Sequence, residues 1–308
     1  MDDRQLCWVL AGPTASGKTA LSIRLAKAHG CEIICMDSMQ IYRRMNIGTA
    51  KPTSAEMDGV PHHLLDVADP GEPFSVAQYQ ELAEEAAQGI LARGKQPLFV
   101  GGTGLYLRAL RHPMALGAVK GDDALRERLQ READAPGGRE ALHARLSMVD
   151  PGTAQRLHVN DVRRVIRALE VYELTGVPFS CQPQAEEVSP FRYRVASLTM
   201  NRDILYERIE RRVDQMLADG LLEEVRALLD SGVPAGAQAM KGLGYKELVP
   251  YLLGECTLEE AVDALKLGTR HYAKRQLTWM RREEDVRWID SLAESAYDTL
   301  EKWFTQGD

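Results

Sequence analysis

A segment near the amino terminus has the residue types and spacing of a phosphate-binding loop. Its residues are Gly12, Pro13, Thr14, Ala15, Ser16, Gly17, Lys18 and Thr19, which fit the full P-loop pattern, GxxxxGK followed by Ser or Thr. Glycines let such a loop wrap around an anion, and backbone N–H groups at a helix start donate to phosphate oxygens. The Lys18 ammonium adds a positive charge, and the Thr19 hydroxyl can ligate Mg²⁺. The segment therefore predicts a polyphosphate site.

One carboxylate, Asp37, follows a short buried run and has two possible roles. A P-loop nucleoside triphosphatase needs an acid at a strand end to hold Mg²⁺. The apolar run at residues 96–100 is followed by Gly-Gly-Thr and carries no acid, whereas Asp37 does close a buried run. Asp37 can hold a metal or act as a general base, and the residues alone favour neither role. They predict a P-loop enzyme with a phosphate ligand and go no further.

Apolar runs and helical periodicity alternate over the first third of the chain. Residues 6–10, 32–36 and 96–100 are predicted to form buried strands, and residues 19–29 and 75–93 amphipathic helices. This alternation indicates an α/β fold with a parallel sheet flanked by helices. The phosphate loop then lies between the first strand and the first helix, which is the context that its motif requires.

The periodicity becomes almost wholly helical between residues 122 and 176. We therefore predict a smaller, all-helical insertion domain at 118–185, between the two segments of the core, 1–117 and 186–308. In the later part of the chain, strand character returns and long helical stretches follow. The further elements expected are helices at residues 123–133, 138–149, 161–175, 202–231 (broken at Gly220) and 258–282, and a strand at 191–198.

Composition narrows the class of protein. The chain has 308 residues and a net charge of −7, which excludes a generally basic nucleic-acid coat but permits a local basic surface. Its apolar runs are too short to span a membrane, and its start lacks the pattern of a signal peptide. Five cysteines without a CxxC pair are typical of a reduced protein. We expect a cytoplasmic protein that does not enter a membrane and is a monomer.

Further motifs accompany the phosphate loop along the chain. They lie at residues 37–43, 46–52, 61–66, 100–106, 160–164, 167–171, 242–245 and 274–279. Together with the loop they resemble the tRNA dimethylallyltransferases, also called tRNA isopentenyltransferases. The resemblance covers nearly the whole chain, and the combination is far more specific than a P-loop alone.

The resemblance implies an activity and its partners. The family transfers a dimethylallyl group from dimethylallyl pyrophosphate to the exocyclic N6 of an adenine. That adenine lies just 3′ of the anticodon in tRNAs that read codons beginning with U, and pyrophosphate is released. The resemblance also implies Mg²⁺, a P-loop core related to the nucleotide kinases, and an insertion that helps to grip the anticodon stem-loop.

The resemblance also assigns catalytic roles. Lys18, the loop amides and Mg²⁺ on Thr19 would stabilise charge on the departing pyrophosphate. Arg212 matches the family's phosphate-binding arginine, and its planar fork suits a phosphate. Asp37 matches the family's general base, a role that fits better than that of the missing triphosphatase acid. Thr103 matches a position that lines the channel where the two substrates meet.

Three further segments match the positions with which the family contacts tRNA. Gln40 offers a donor and an acceptor for adenine edges. Basic and aromatic residues near 241–246 and 270–282 would supply phosphate contacts and stacking. The expected tRNA-contacting residues are Asp37, Ser38, Met39, Gln40, Gly104, Arg163, Arg164, Val165, Ile166, Arg167, Lys241, Gly242, Leu243, Gly244, Tyr245 and Lys246.

Three other functions stay open at this point. The first is a kinase or ATPase, against which the missing acid after residues 96–100 argues. The second is a relative that prenylates free adenine nucleotides, against which the insertion and the basic clusters argue. The third is an RNA-binding module with a vestigial phosphate loop, in which Lys18 would be dispensable.

Overall fold

The order of apolar and amphipathic segments produces an α/β fold with a separate helical unit. The computed structural model describes residues 3–112, 119, 121–182 and 188–306. The chain divides into one unit of residues 1–113 and 188–308 and a second unit of residues 114–187. The insertion expected at 118–185 falls within the second unit.

The larger unit is built on a six-stranded sheet in which each neighbouring pair of strands is parallel. Its strands are β1 (Gln5–Ala11), β2 (Cys31–Met36), β3 (His62–His63), β4 (Gln96–Gly101), β5 (Phe191–Thr199) and β6 (Val286–Asp290). Their order across the sheet is β3-β2-β4-β1-β5-β6. The parallel α/β fold expected from the sequence is therefore confirmed.

Helices connect these strands and also form the second unit. They are α1 (Lys18–His29), α2 (Ser54–Met57), α3 (Val76–Ala92), α4 (Gly104–Arg111), α5 (Asp123–Asp134), α6 (Gly138–Val149), α7 (Pro151–Arg156), α8 (Val162–Thr175), α9 (Arg202–Ala218), α10 (Leu221–Asp230), α11 (Tyr245–Leu252), α12 (Leu258–Met280) and α13 (Ala296–Thr305). The expected break at Gly220 is confirmed, because this residue has a φ of 99° between α9 and α10. Within the described ranges no helix is long and apolar enough to cross a membrane.

Two apolar layers cover the two faces of the sheet. Alternate residues of a strand point to opposite faces, so Cys7, Val9 and Ala11 join one layer, and Trp8 and Leu10 join the other. Helices α3, α4 and α9–α12 cover the first face, while α1 and α13 cover the second. Each fully buried Val or Leu side chain contributes about 1.5–3 kcal/mol, so both layers hold the sheet rigid beneath its loops.

The second unit has its own apolar core among α5, α6, α7 and α8. Its buried residues include Leu129 and Ala133 on α5 and Leu142 and Leu146 on α6, each pair one helical turn apart. One buried carboxylate, that of Glu170 on α8, is surrounded by three partners that donate hydrogen bonds to it or form ion pairs with it. These partners are the Asp122 backbone N–H, Arg126 and Arg167.

Candidate active site

Three neighbouring strands end at one edge of the sheet and bring the sequence motifs together. Strands β2, β4 and β1 are consecutive in the sheet. Strand β1 leads into the phosphate loop (residues 12–19), β2 into Asp37, and β4 into Gly102 and Thr103. Neighbouring strands lie about 4.8 Å apart, and parallel sheets bind ligands at their carboxyl ends. The topology thus places Thr103 between the phosphate loop and Asp37.

Close backbone packing fixes the position of Thr103. A Cβ at Gly101 would overlap the carbonyl of Met36, so a glycine is required where β4 meets the end of β2. The Thr103 N–H donates to the Met36 carbonyl at 3.3 Å, and the Ser38 N–H donates to Thr103 Oγ1 at 3.1 Å. Thr103 is therefore bound to the segment that carries Asp37.

The phosphate loop is folded around its own lysine. Lys18 Nζ donates to the carbonyl oxygens of Gly12 at 2.9 Å and Pro13 at 2.7 Å. Gly17 has a φ of 90°, a left-handed conformation that favours glycine. The Ser16 hydroxyl is buried and has no hydrogen-bond partner among the described residues. Buried hydroxyls are normally paired, and a bound anion would supply this partner.

Two poorly solvated cations face this loop. Burial, followed by the charge of Arg212, lowers the pKa of Lys18 to about 8, against the opposing effect of Asp37. Burial also lowers the pKa of Arg212, whose Nη1 donates to Thr14 Oγ1 at 3.4 Å. Across the described part of the chain, neither cation forms an ion pair with a carboxylate. The loop therefore presents two cations that can attract the negative charge of a diphosphate.

The lowered pKa of Lys18 predicts how pyrophosphate binding depends on pH. The protonated ammonium attracts the anion, so affinity is fully present below pH 8 and falls as the pH rises through about 8. The fall approaches tenfold per pH unit above that point, because binding must then recruit a proton. Calorimetric titration with inorganic pyrophosphate at several pH values measures this affinity. The same titration of Lys18→Ala shows how much of the pH dependence comes from protonation of pyrophosphate itself. A parent and a variant with the same pH dependence would contradict the assignment.

The second functional side chain, Asp37, is held by one of its two oxygens. Its Oδ1 accepts from the backbone N–H groups of Met39 at 2.8 Å and Gln40 at 3.4 Å. Burial raises the pKa of Asp37, and these N–H groups and Lys18 partly offset the rise. A carboxylate whose pKa lies above the ordinary value is a better proton acceptor. Asp37 is thus oriented and poised to act as a base.

The Gln40 side chain is hydrogen-bonded within the protein, and its contact with an adenine stays a prediction. Its Nε2 donates to the carbonyls of Thr49 at 3.1 Å and Ala50 at 3.2 Å, and its Oε1 accepts from Cys35 Sγ at 3.4 Å. Both ends of the amide are therefore hydrogen-bonded within the protein, and these bonds brace the cleft wall. Gln40 and the two preceding residues, Ser38 and Met39, all line the cleft.

The phosphate loop and Asp37 open into one cleft of about 790 Å³. Its wall also includes apolar side chains from α9 and α12, among them Ile209, Val213, Met216 and Leu265. A concave site with an apolar wall and a few convergent polar groups is typical of small-molecule binding. This cleft can therefore accept a ligand with an anionic end and a short hydrocarbon end.

The segment at residues 241–246 lies at the same cleft, but its tyrosine does not. Lys241 and Lys246 are exposed and line the cleft, together with Gly242, Leu243 and Gly244. Tyr245 is fully buried, and its hydroxyl donates to Glu224 Oε1 at 2.6 Å. The expected stacking role of Tyr245 is therefore wrong, because its ring has no free face.

In α8, the five expected contact residues have different environments. Arg163 and Arg164 are exposed, and Arg164 pairs with Asp161 one turn earlier. Val165 and Ile166 are buried in the apolar core of the second unit, so the expectation that their side chains contact RNA is wrong. Arg167 is half-buried and pairs with the buried Glu170, as described above. Arg163 is thus the clearest candidate for an RNA contact in this helix.

One face of α12 forms a basic groove. The residues lining it are His271, Lys274, Arg275, Thr278, Trp279 and Arg282. They recur at helical spacing, so their side chains lie along one exposed stripe. Gly104, an expected contact residue, packs against this stripe: a Cβ there would lie 2.9 Å from the Trp279 side chain. Arg270 lies off the stripe and pairs with Glu210 at 2.6 Å.

The oxygen donors in the cleft suit a magnesium ion bound partly by its substrate. Thr19 follows Lys18 in α1, is exposed and lines the cleft, and one oxygen of Asp37 accepts no hydrogen bond from the described residues. Within those residues, no group of three or more His, Cys, Asp or Glu side chains could form a protein cage for a metal. Mg²⁺ usually takes one or two protein oxygens together with phosphate oxygens and water, so this donor set fits it.

Sequence reasoning missed Glu224, which supports the cleft wall from α10. Its carboxylate accepts from the backbone N–H groups of Asn46 at 2.8 Å, Ile47 at 2.8 Å and Gly48 at 3.1 Å. The same carboxylate accepts from the buried hydroxyl of Tyr245. In the sequence Glu224 is one more acid on an amphipathic helix, and no local signal separates it from its neighbour Glu223.

Comparison with known proteins identifies the family. The family model described as IPP transferase matches residues 40–283, and that described as isopentenyl transferase matches residues 6–69. A tRNA dimethylallyltransferase from Desulforudis audaxviator is 54% identical over 283 residues, which cover 92% of this chain and 91% of the relative.

Solved structures agree in fold over almost the whole chain. The full-length tRNA isopentenylpyrophosphate transferase from Bacillus halodurans has a TM-score of 0.73 and 46% identity, covering 98% of this chain and 96% of that one. A eukaryotic dimethylallyltransferase acting on tRNA has a TM-score of 0.80 and 30% identity, covering 96% and 76%. Given these matches and the shared fold, this chain belongs to the tRNA dimethylallyltransferase family of prenyltransferases.

Proposed function

We propose that this protein transfers a dimethylallyl group from dimethylallyl pyrophosphate to N6 of the adenine just 3′ of the anticodon, in tRNAs that read codons beginning with U. The names of its relatives support tRNA and a dimethylallyl donor as substrates. The observation that carries the proposal is the joint placement of the phosphate loop and Asp37 in one cleft. An anion site and an oriented base are what this transfer requires.

The phosphate loop serves the leaving group. As the bond between the prenyl carbon and the diphosphate oxygen breaks, negative charge grows on pyrophosphate. Lys18 and Arg212, which have no carboxylate partner in the described structure, lie where that charge develops. Because both cations are partly shielded from water, their attraction for the anion is stronger than it would be in solvent.

Asp37 serves the acceptor. The lone pair of an adenine amine is delocalised into the ring, so the amine is a weak nucleophile. The Asp37 carboxylate, fixed by the Met39 and Gln40 amides, can orient the amine and accept its proton as the new C–N bond forms. Thr103, bonded to the Ser38 N–H, lies between this base and the phosphate loop.

The adenine cannot react while it is stacked in the anticodon loop. Base-modifying enzymes extrude their target and read its edges in a pocket. Lys241 and Lys246 at the cleft, and the basic groove of α12, supply positive charge for the RNA backbone on an otherwise acidic protein.

We further propose Mg²⁺ as the cofactor, held by the Thr19 hydroxyl together with diphosphate oxygens. Bound there, the ion would neutralise charge on the leaving group. The chain's own contribution is the Thr19 oxygen at the first turn of α1, which lines the same cleft as Lys18.

A transfer assay tests the proposal. The protein is incubated with labelled dimethylallyl pyrophosphate, Mg²⁺ and unmodified tRNA, and the tRNA is digested to nucleosides. We expect the label on the adenosine 3′ of the anticodon. Parallel reactions contain AMP as the acceptor or ATP as the only phosphate ligand. Transfer to AMP alone, or ATP hydrolysis without transfer, would contradict the proposal.

Variants of two arginines on α8 distinguish a residue that contacts RNA from a residue that stabilises the second unit. Arg163→Ala is expected to lower the log–log salt slope of tRNA binding by about 0.7, the value for one single-strand phosphate contact, and to leave the fold unchanged. Arg167→Ala removes one charged hydrogen bond to the buried Glu170 and leaves Arg126 as its remaining arginine partner, which costs about 1.5–3 kcal/mol. Filter binding at several salt concentrations measures the slope, and hydrogen exchange in α5–α8 measures the destabilisation. A destabilised Arg163→Ala protein, or an Arg167→Ala protein of parental stability with a lowered salt slope, would overturn this distinction.

A further inference from the structure

A buried glutamine on α12 reaches between two loops of the active site. Gln276 is 4% exposed, although it lies in the helix that carries the basic groove. Its Oε1 accepts from the Thr14 backbone N–H in the phosphate loop at 2.9 Å. Its Nε2 donates to the Gly102 carbonyl, in the loop that follows β4, at 3.2 Å. One side-chain amide therefore joins the phosphate loop to the residue before Thr103.

The backbone packs closely around this amide. A Cβ at Gly102 would overlap Gln276 Nε2 and would lie 3.0 Å from the Gly12 carbonyl oxygen. The start of the phosphate loop, the turn after β4 and the end of the Gln276 side chain thus pack directly against one another. With a glycine at 102, the glutamine amide occupies the space that a side chain would take.

A tyrosine one turn earlier extends the connection to the base. The Tyr272 side chain lies beside the polar side chains of both Thr103 and Gln276. Thr103 Oγ1 in turn accepts from the Ser38 N–H, directly after Asp37. A continuous series of polar contacts therefore runs from the phosphate loop through α12 to the segment of the general base.

We propose that Gln276 is a positioning residue that sets the separation between the phosphate loop and the Thr103 loop, and so aligns the donor with the acceptor amine. The proposal rests on the function proposed above. Gln276 itself touches neither reacting atom. It acts because donor and acceptor must meet at bonding distance, and a misplacement of about 1 Å can cost about 10²-fold in rate.

The chemistry of the site requires an uncharged amide of this length. Methionine has a similar length but neither donates to Gly102 nor accepts strongly from Thr14. Glutamate keeps the acceptor for Thr14, but it loses the donor and places a carboxylate against the Gly102 carbonyl. Asparagine is shorter by one methylene, so it cannot span both loops.

The test compares two glutamines whose side-chain amides each make one donor and one acceptor bond to the backbone. Gln238 accepts from the Phe74 N–H and donates to the Phe74 carbonyl, and it does not line the cleft. We expect Gln276→Met to lower kcat for transfer about 10–100-fold. The tRNA Kd and the pyrophosphate Kd should stay within about threefold of the parent values. Gln238→Met should leave all three quantities unchanged.

A second variant keeps the test informative if Gln276→Met does not fold. Gly102→Ala pushes the amide aside from the opposite direction and should lower kcat in the same way. In a protein that carries both changes, the fold loss in kcat should be smaller than the product of the two separate losses. Both changes disrupt the same contact between Gln276 and Gly102, so their effects overlap. Purely multiplicative losses, or a folded Gln276→Met protein with parental kcat, would overturn the positioning role. A parent chain that does not modify tRNA would instead contradict the proposed function.

Discussion

Replacing Asp37 with asparagine is expected to slow prenyl transfer by about 10²–10⁴-fold, the usual contribution of a positioned general base. Asparagine keeps an oxygen that can accept from the Met39 N–H, so the loop geometry should survive. It cannot take a proton from the adenine amine. Pyrophosphate binding near neutral pH should stay within about threefold, because the anion contacts the other loop. Single-turnover transfer and calorimetry measure the two quantities.

The pH profile separates loss of a base from a disturbed fold. In the parent protein, kcat/KM should rise with pH until Asp37 is ionised, at a pKa raised by burial. This rise should be absent from Asp37→Asn. Asp69→Asn is a suitable control because Asp69 is a half-buried aspartate that pairs with Arg44 and does not line the cleft. Asp37 would have no part in proton transfer if its variant kept the parental profile and rate.

The second large effect is expected for Lys18→Ala. This change removes a cation from the leaving-group site, and the loss of one such electrostatic contact typically costs about 10²–10³-fold in kcat. Donor affinity should fall as well, because the charge is also present in the ground-state complex. Lys18→Arg should not restore the rate, since a broad planar guanidinium cannot replace a compact ammonium held by the Gly12 and Pro13 carbonyls.

A lysine on the same helix provides the control for Lys18. Lys27 lies at the exposed end of α1 and pairs with Asp58 at 2.5 Å. Lys27→Ala should leave kcat and donor KM within about twofold, since surface pairs contribute little. Steady-state kinetics at saturating tRNA measure both variants. Full activity in Lys18→Ala would indicate a phosphate loop that plays no part in the reaction.

The sequence was sufficient to predict the sheet that carries the site. The runs ending at Ala11, Met36 and Gly101 are short, apolar and bounded by glycine or aspartate, so their strand character is local. Strand β6 is short, contains the exposed charged residues Arg287 and Asp290, and follows a charged helix end, so its apolar signal is weak. Strand β3 has only two residues, too few for a pattern to be read.

The candidate site was predictable where motif and local geometry coincide. The phosphate loop is one continuous segment, and Asp37 follows its strand directly, so spacing alone located both. Tyr245 shows why the rest could not be read from the sequence. It stands between two exposed lysines, yet its ring is buried against Gly48 and its hydroxyl donates to Glu224. Both of these partners lie far from Tyr245 in the sequence.

Buried hydrogen bonds between polar side chains and distant segments are the feature that the sequence predicts least well. Gln276 lies in a stretch of Lys, Arg and Trp that suggests an RNA-facing surface. Only the helical rotation of α12 turns its side chain inward, toward Gly102 and Thr14. The same holds for Arg167, whose pairing with Glu170 depends on the packing of the second unit. Residue type and spacing therefore identify charged segments without separating their structural from their functional members.

The most direct test of the central claim is a structure of the protein with an unreactive donor analogue, Mg²⁺ and an unmodified anticodon stem-loop. We expect an Asp37 carboxylate oxygen within about 3.2 Å of the adenine N6. We also expect Lys18 Nζ within about 3 Å of a diphosphate oxygen. An adenine whose N6 lies out of reach of Asp37, or a diphosphate bound away from the phosphate loop, would contradict the assignment of both groups.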